Sequence, residues 1–386
     1  MASTPKRVGV DIGSSAIRVV EVSGIDRDGY AVVSRVAEEP LAEGALREGR
    51  PADLQQVAVA LNRALKSAKV APQGFVLGLS VPETAVGRRM LPAAVKQTEW
   101  VSTIRNSGWE VSPLAKMADS IVDVRHVRED VDGEGRELDV LSVGVARRSD
   151  IDTMMSLCKL AKLAPRALDL TGVAMLRALV RDTDESRDVA AYVDIGSTTT
   201  TVVTREGRSA HTMRCLNMGG TLFTRAVQEV RGLPFEEAER LKARLKLSPP
   251  GASVNQGPVD LSSYGLADDD RYLEDREQTK LENAFERAGE QLINTIVAAV
   301  ESGQSSDQGS VPPPEEVYLV GGSALVGGLR ERLQHALQIP VRIARPWATI
   351  APHERNAAFR KGEQDDPLAL LRLSPAIGLA LWKDER

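Results

Sequence analysis

The stretch that decides the fold is residues 8–22, which read Val8-Gly9-Val10-Asp11-Ile12-Gly13-Ser14-Ser15-Ala16-Ile17-Arg18-Val19-Val20-Glu21-Val22. An apolar segment leads into an aspartate, a glycine and small hydroxyl residues, and a second segment rich in β-branched residues follows. This pattern predicts a β-hairpin with a tight turn. The backbone N–H groups and hydroxyls at such a turn favour an anionic ligand.

A looser copy of the same pattern occurs near the middle of the chain. It reads Ala191-Tyr192-Val193-Asp194-Ile195-Gly196-Ser197-Thr198-Thr199-Thr200-Thr201-Val202-Val203. Two such hairpins indicate a duplicated fold whose halves close on one ligand. Our leading hypothesis for that ligand is the phosphate chain of a nucleotide together with a divalent cation.

A third glycine-rich stretch, Val320-Gly321-Gly322-Ser323-Ala324, follows a predicted buried strand late in the chain. Taken alone, each of the three stretches is compatible with an ordinary turn, because glycine is the usual residue where the backbone is left-handed. Their order along the chain, with two of them at the turns of equivalent hairpins, makes a shared ligand the more specific interpretation.

The composition is that of a globular protein and excludes several function classes. The chain has 386 residues, of which 42% are hydrophobic and 27% charged, and its formal net charge is −5. A basic face for nucleic acid is not indicated. Two cysteines and four scattered histidines provide neither a disulfide framework nor a zinc site. Without a signal region or an apolar run of about 18 residues, we expect no membrane span and a cytoplasmic location.

The order of predicted elements after the first hairpin indicates a mixed sheet with a covering helix. Asp53 is the predicted N-cap of a helix over 54–69, and Ser149 with Asp152 forms a capping-box pattern for a helix that ends at Leu163. Residues 248–270 predict a loop and residues 302–314 a linker. The other predicted strands are at 30–37, 75–80, 119–127, 138–147, 167–170, 210–213, 316–320 and 341–343, and the other helices at 98–107, 171–181, 234–245, 271–301, 329–337 and 374–382.

With these stretches in place, the sequence resembles the actin/Hsp70/sugar-kinase superfamily. Gly9–Arg18 is similar to its first phosphate loop, Asp194–Thr200 to the second, and Leu319–Gly328 to the adenosine loop. The resemblance implies an α/β, two-lobed actin-like ATPase fold, made of duplicated ribonuclease-H-like domains, with ATP and Mg²⁺ in the cleft. The predicted division is a first lobe at 1–81 and 165–186, a small α+β insertion subdomain at 82–164, and a second lobe at 187–386 with a helical subdomain at about 225–311.

The residue types at these loops suit a nucleotide. Gly13 and Gly196 would let the backbone approach phosphates, and Gly321 with Gly322 would let a purine and a ribose lie against the backbone. Asp11 and Asp194 are hard oxygen ligands for Mg²⁺, acting through its water molecules, and are the catalytic candidates. The other residues predicted to contact the nucleotide are Ser14, Ser15, Arg18, Ser197, Thr198, Thr199, Gly219, Gly220 and Ser323.

Within the superfamily, the sequence resembles the PilM family of type IV pilus assembly. The insertion lies where PilM and FtsA carry theirs; Gly219-Gly220 followed by Phe235–Lys242 is similar to the PilM second-lobe helices, and Pro375–Leu381 to its C-terminal helix. By this resemblance Glu239 and Lys242 face the ribose and base.

The resemblance also implies a role. A PilM-like chain is an ATP-binding scaffold of a type IV pilus, or of a related secretion system. It grips the cytoplasmic N-terminal segment of a PilN-like inner-membrane protein between the first lobe and the insertion. It would be peripheral to the inner membrane through that partner. Other inner-membrane or motor proteins of the pilus, and self-association, stay open as further partners.

Whether the chain is an enzyme is left open, with weak ATPase activity as the most that we expect. Asp169 stands where kinases of the superfamily place a base, but we favour a role as the cap of the helix that begins near Thr171. The alternatives are an FtsA-like cell-division protein, a small-molecule kinase, and a scaffold that binds no nucleotide.

Overall fold

A computed structural model describes residues 7–106, 118–180, 188–251, 270–302, 312–346, 349–351, 358 and 367–383. The elements of the first half are β1 (Arg7–Ile12), β2 (Ala16–Ile25), β3 (Ala31–Pro40), β4 (Leu46–Arg47), β5 (Arg50–Pro51), α1 (Leu54–Ala68), β6 (Val76–Leu79), β7 (Ala85–Pro92), α2 (Trp100–Asn106), β8 (Ser120–Val131), β9 (Glu137–Arg147), α3 (Arg148–Leu160), β10 (Ala167–Leu170) and α4 (Thr171–Leu179).

The second half begins with a strand that matches β1. Its elements are β11 (Val189–Ile195), β12 (Thr200–Glu206), β13 (Ser209–Leu216), α5 (Thr221–Arg231), α6 (Phe235–Lys242), α7 (Asp270–Ser302), β14 (Glu316–Val320), α8 (Leu329–Leu337), β15 (Val341–Ile343) and α9 (Pro367–Ala380). Most of the predicted loop at 248–270 and of the predicted linker at 302–314 lies outside the described residues.

Two sheets repeat one topology. The first sheet has the order β10-β6-β1-β2-β3, with β1, β6 and β10 parallel and β1, β2 and β3 antiparallel. The second sheet begins with the same arrangement, β15-β14-β11-β12-β13. The duplication that the two hairpins predicted is therefore confirmed, and the fold is a mixed α/β fold with two equivalent halves.

The second sheet continues beyond the repeat into residues 82–164, which we call the insertion. Strand β7 pairs with the edge of β13, and β9 and β8 follow in antiparallel order to complete eight strands. The sequence analysis did not predict β7. The limits of the lobes and of the insertion remain predictions.

Two helices lie against both sheets and fix the space between them. On α4, Met175 and Leu176 pack with Val203 and Met213 of the second sheet. On α9, Ala376 and its apolar neighbours pack on β2 and β3 of the first sheet. The contact is close, because a Cβ at Gly9 would lie 2.1 Å from the carbonyl oxygen of Ala376.

The predictions for helix starts had mixed outcomes. The Asp53 cap is confirmed, since its Oδ1 accepts hydrogen bonds from the backbone N–H groups of Gln55 (2.8 Å) and Gln56 (3.1 Å). The capping box at Ser149 is wrong, because α3 begins at Arg148 and has no side-chain cap. Helix α9 is longer than predicted and continues through Pro375. No helix in the described part of the chain is both long and apolar enough to cross a membrane.

Candidate functional site

A cavity of about 590 Å³ lies between the turns of the two equivalent hairpins. The hydroxyl groups of Ser14 and Thr198 hydrogen-bond to each other and so join the two turns directly. The sequence-predicted residues that line the cavity are Asp11, Gly13, Ser14, Ser15, Arg18, Asp194, Gly196, Ser197, Thr198, Thr199, Glu239, Lys242, Gly321, Gly322 and Ser323. Residues from both halves and from all three glycine-rich stretches therefore meet at one site.

The two aspartates are the charged groups at the ends of β1 and β11. Burial raises the pKa of Asp11 from 3.8 to about 6, although the Arg18 guanidinium opposes the shift. Burial and the Asp11 carboxylate raise the pKa of Asp194 to about 7. Two neighbouring carboxylates, one buried and one half-buried, repel each other and are stabilised by a cation between them or near them.

Arg18 is the cation closest to this pair. Its Nη1 lies 3.9 Å from Asp11 Oδ2, and its Nη2 donates to Glu38 Oε1 at 3.0 Å. Arg372 from α9 approaches the same Glu38 oxygen at 3.9 Å and also lines the cavity. The site therefore contains two guanidinium groups held by one carboxylate, which suits an anionic ligand with several oxygens.

The glycines of the two turns hold equivalent hydrogen bonds, and a close contact requires the glycine of the second. The N–H of Gly13 donates to Ala16 O at 3.1 Å, and that of Gly196 donates to Thr199 O at 2.9 Å, so each closes its own turn. A Cβ at Gly196 would lie 2.9 Å from Thr199 O. These glycines keep the turns narrow, while the serines and threonines beside them provide donors toward the cavity.

Gly321 requires glycine for two reasons. Its φ is +85°, and a Cβ would lie 2.3 Å from Asp194 Oδ1. The third glycine-rich stretch therefore passes directly over the second aspartate. Ser323 in the same stretch donates from its Oγ to Gly196 O at 3.2 Å, which ties the stretch to the second turn.

Gly219 and Gly220 support the second turn and are not among the lining residues. The N–H of Gly220 donates to Gly196 O at 2.9 Å, and a Cβ at Gly219 would lie 2.7 Å from Ser197 O. The glycine pair allows α5 to begin immediately against the turn. Their predicted contact with a nucleotide remains a prediction.

Glu239 and Lys242 line the cavity from α6, one helical turn apart. The Lys242 Nζ lies 2.6 Å and 2.7 Å from the two carboxylate oxygens of Glu239 and 3.2 Å from Thr224 Oγ1. Thr224 also hydrogen-bonds to Glu239. This side of the cavity thus carries a carboxylate and an ammonium that both could face hydroxyl groups or ring nitrogens of a ligand.

Asp169 does not act as we predicted. The N-cap of α4 is Leu170 and makes no side-chain cap bond, so the capping role is wrong. The Asp169 carboxylate instead forms an ion pair with Arg177 and accepts the Leu170 N–H at 2.9 Å. Asp169 is not among the lining residues, whereas Thr171 is.

Sequence reasoning missed several lining residues that arrive from other elements. Arg372 had a detectable signal, because it is a lone cation inside the apolar run 368–373. Two of the others, Thr221 and Phe235, lie in or beside the Gly219-Gly220 and Phe235–Lys242 stretches but were not predicted to line the site. The rest carry no local motif and become visible only in three dimensions; they include Leu46, Gly49, Ser80 and Thr171.

The donor set fits Mg²⁺ held largely by water and ligand oxygens. Among the described residues, no group of three or more His, Cys, Asp and Glu could hold a metal ion. Asp11 and Asp194 could therefore supply only part of a coordination sphere, which is typical of Mg²⁺ bound together with phosphates.

Two equivalent halves around a cleft lined by three glycine-rich loops define an actin-like ATPase fold. A solved structure described as the PilM-PilN type IV pilus biogenesis complex is similar to this chain, with a TM-score of 0.73, 22% sequence identity, and 97% of each chain covered. The ethanolamine utilization protein EutJ from Carboxydothermus hydrogenoformans has a TM-score of 0.51 and 16% identity, over 98% of this chain and 90% of that chain.

The particular family follows from the sequence itself. The profile of the type IV pilus assembly protein PilM matches residues 9–252, which is more than half of the chain. The chain belongs to the family of the type IV pilus assembly protein PilM. The profile of the cell division protein FtsA matches residues 191–360, within the second half.

Proposed function

We propose that the chain is a cytoplasmic, ATP-binding scaffold of type IV pilus assembly. The observation that carries the nucleotide assignment is the meeting of three loops and two aspartates, Asp11 buried and Asp194 half-buried, at one cavity. Family membership supports the role in the pilus.

In the bound state, the serines and threonines of the two turns and the guanidinium groups of Arg18 and Arg372 would hold phosphate oxygens. Asp11 and Asp194 would hold Mg²⁺ through water, and Glu239 with Lys242 would face the ribose and base. The bound Mg²⁺ would neutralise phosphate charge. We expect weak ATPase activity at most, because the carboxylate of Asp169 is engaged by Arg177 and lies outside the lining set.

The partner in this proposal is the cytoplasmic N-terminal segment of a PilN-like inner-membrane protein. A structurally similar chain was solved in a PilM-PilN complex. The segment would bind between the first sheet and the insertion, by main-chain pairing and side-chain pockets. The chain would then be peripheral to the inner membrane through this partner alone.

The nucleotide assignment is tested by calorimetric titration with ATP, with and without Mg²⁺. We expect Asp194→Ala to abolish the dependence of ATP affinity on Mg²⁺, because an oxygen ligand that faces the cavity is lost. The matched control is Asp188→Ala, an exposed aspartate at the start of the same strand. Unchanged affinity and unchanged Mg²⁺ dependence in Asp194→Ala would refute the assignment.

The partner assignment is tested separately by binding of a synthetic peptide with the N-terminal sequence of the PilN-like protein from the same organism. Retention of that peptide, and not of a scrambled version, is the expected result. Failure to bind it, together with robust phosphoryl transfer to a small molecule, would favour the kinase alternative. Because the FtsA profile matches residues 191–360, a peptide from a cell-division protein serves as a comparison in the same binding experiment.

A further inference from the structure

The β4–β5 hairpin contacts three separate parts of the molecule. It is a two-residue turn in which Glu48 and Gly49 both have positive φ angles, +49° and +72°. This backbone twist suits a tight hairpin between strands of two residues each. The hairpin is therefore a compact projection with little freedom of its own.

One side of the hairpin forms part of the cavity wall. Leu46 and Gly49 are lining residues. Gly49 lies against the end of β6, because a Cβ there would lie 2.2 Å from Ser80 O. Ser80 lines the cavity as well. A ligand that fills the cavity would press against this wall.

A second side contacts the other half of the molecule. Asn217 Nδ2 donates to Glu48 Oε1 at 2.9 Å. Asn217 follows β13 and lies next to the Gly219-Gly220 pair that supports the second turn. This hydrogen bond spans the cleft, so its formation depends on how closely the two halves approach.

The third contact is an ion pair with the insertion. Arg50 Nε donates to Asp150 Oδ1 at 2.7 Å and Arg50 Nη2 to Asp150 Oδ2 at 3.0 Å, which is a two-bond fork. Asp150 is buried at the start of α3. Arg50 Nη2 also donates to Glu83 Oε2 at 3.0 Å, and Arg147 Nη2 donates to Glu83 Oε1 at 3.1 Å.

The insertion is attached to both halves of the molecule, so its position depends on the distance between them. Its sheet joins the second half through two backbone-paired positions, Met213 with Val86 and Arg214 with Ala85. Arg128 Nη1 also donates to Glu206 Oε2 at 3.2 Å. Its helix α3 packs near α1 of the first half, where Asn62 Nδ2 donates to Ala161 O at 3.1 Å. A change in the distance between the halves must therefore strain one attachment or move the insertion.

We propose that the β4–β5 hairpin couples closure of the cleft over a nucleoside triphosphate to the position of the insertion, through the Glu48–Asn217 and Arg50–Asp150 contacts. This inference rests on the proposed nucleotide function. Closure strengthens the contact of Glu48 with Asn217, and the Arg50 fork carries the hairpin's new position to α3. Because Asp150 is buried, separating its carboxylate from the Arg50 guanidinium would leave a buried charge unpaired. The two groups are therefore expected to move together.

Coupling of this kind is reciprocal for binding affinities and is typically about 5- to 150-fold. A ligand held by the insertion would therefore change the affinity of the chain for the nucleotide by some factor. The nucleotide would change the affinity of the chain for that ligand by the same factor. This symmetry separates a coupling contact from a contact that merely stabilises the fold.

Hydrogen exchange of the full chain tests the proposal. Saturation with Mg²⁺ and the non-hydrolysable triphosphate AMPPNP should slow amide exchange in α3 of the wild-type chain by about 5-fold or more. Arg50→Lys keeps the charge but loses the fork. We expect that variant to bind AMPPNP within about 3-fold of wild type and to lose the response of α3.

Asn217→Ala provides a second variant at an exposed position, where misfolding is not expected. It should weaken the α3 response while the melting temperature stays unchanged. The matched control is Gln278→Ala, which removes exposed side-chain hydrogen bonds to Arg231 of α5 and Glu282 of α7. It should leave the response intact.

The outcomes distinguish this inference from the proposed function. If AMPPNP binds to wild type but α3 responds equally in wild type, Arg50→Lys and Asn217→Ala, the coupling is refuted and nucleotide binding stands. A wild-type chain that binds AMPPNP with no response in α3 refutes it as well. If wild type does not bind AMPPNP in calorimetry, both the nucleotide assignment and the coupling fail.

Discussion

The two hairpins repeat one backbone but differ in the residue that faces each aspartate. In the first hairpin Asp11 is paired across the strands with Arg18, and in the second Asp194 is paired with Thr201. Burial raises the pKa of Asp11 to about 6 and that of Asp194 to about 7, and Arg18 opposes both shifts. The two equivalent hairpins therefore place two carboxylates in one cleft, with a guanidinium across the strands from the first and a hydroxyl across from the second.

A second difference lies two residues before each aspartate. Gly9 in β1 occupies the position that Tyr192 occupies in β11. Gly9 receives the backbone of α9 directly, whereas Tyr192 stacks on Tyr318 with ring centroids 5.0 Å apart. At this position the first sheet therefore packs directly against the backbone of α9, whereas the second sheet carries a stacked pair of tyrosines.

Gly9→Ala, which adds a side chain at the contact with α9, is expected to have the largest effect on stability. The added Cβ would lie 2.1 Å from Ala376 O and 2.4 Å from Ala380 N, both of which are backbone atoms. We expect a loss of about 3 kcal/mol or more in the free energy of unfolding. Denaturant unfolding measures it, and Gly133→Ala, with no atom within 4 Å, is the control that should change nothing. Equal stability of both variants would contradict the tight contact.

The unequal aspartates predict unequal pH effects on stability without Mg²⁺. A carboxyl with a raised folded pKa contributes stability that is complete below pH 3.8 and is lost as pH rises through the folded pKa, about 7 for Asp194 and about 6 for Asp11. Asp194→Asn should therefore gain about 2–4 kcal/mol at pH 8 relative to wild type and almost nothing at pH 4.

Asp11→Asn should gain less than Asp194→Asn at pH 8, because its folded pKa is lower. Urea unfolding at pH 4, 6 and 8 gives the three comparisons. A gain that does not vary with pH in either variant would show that the two carboxylates are ionised and tolerated in the folded chain.

The cation opposite Asp11 should matter more for ligand affinity than the hydroxyl opposite Asp194. Arg18→Gln removes a charged donor from the cavity, so we expect Mg-ATP affinity to fall about 10-fold, or about 1.4 kcal/mol. Thr201→Ser keeps the hydroxyl and should change affinity by less than about 2-fold. Calorimetry measures both, and a reversed order would place the phosphates on the side of the second hairpin.

The smallest effect concerns the contact that joins the two turns. Ser14→Ala, Thr198→Ala and the double variant form a cycle around the hydroxyl pair. We expect a coupling of about 0.5–1 kcal/mol in unfolding free energy. Additive single effects would mean that the hydroxyl groups bond to water instead of to each other.

The parts of the fold that could be predicted from sequence are those with short-range patterns. Both hairpins, the Asp53 cap and the glycine-rich stretch after β14 were found because a turn and its flanking strands are adjacent in the chain. Thirteen of the fifteen predicted site residues that line the cavity do so for the same reason, because the three local motifs place them there. The other two, Glu239 and Lys242, reach the cavity from α6.

The misses have distinct physical causes. Strand β7 contains Arg88 and Arg89 in succession, which breaks the alternation of a half-buried strand, and its partner β13 is distant in sequence. Ser149 falls inside the first turn of α3, where a serine has no cap to make. The predicted last helix began at Ser374, next to Pro375, and so left out Arg372. The actual helix α9 begins earlier and contains Pro375 in its interior. Gly219 and Gly220 support the second turn, and their contact with a nucleotide stays a prediction.

The position of helix α9 late in the chain affects the order in which the chain can fold during synthesis. It covers the apolar face of β2 and β3, yet it follows β10 by about 200 residues, which a ribosome adds in about 10–40 s at about 5–20 residues per second. One face of the earliest sheet to emerge is thus among the last to be covered, whereas its other face packs with α1 and α3. Nascent chains stalled before α9 should be cut readily by protease within β2 and β3, and chains extended past α9 by a linker that clears the ribosome should resist.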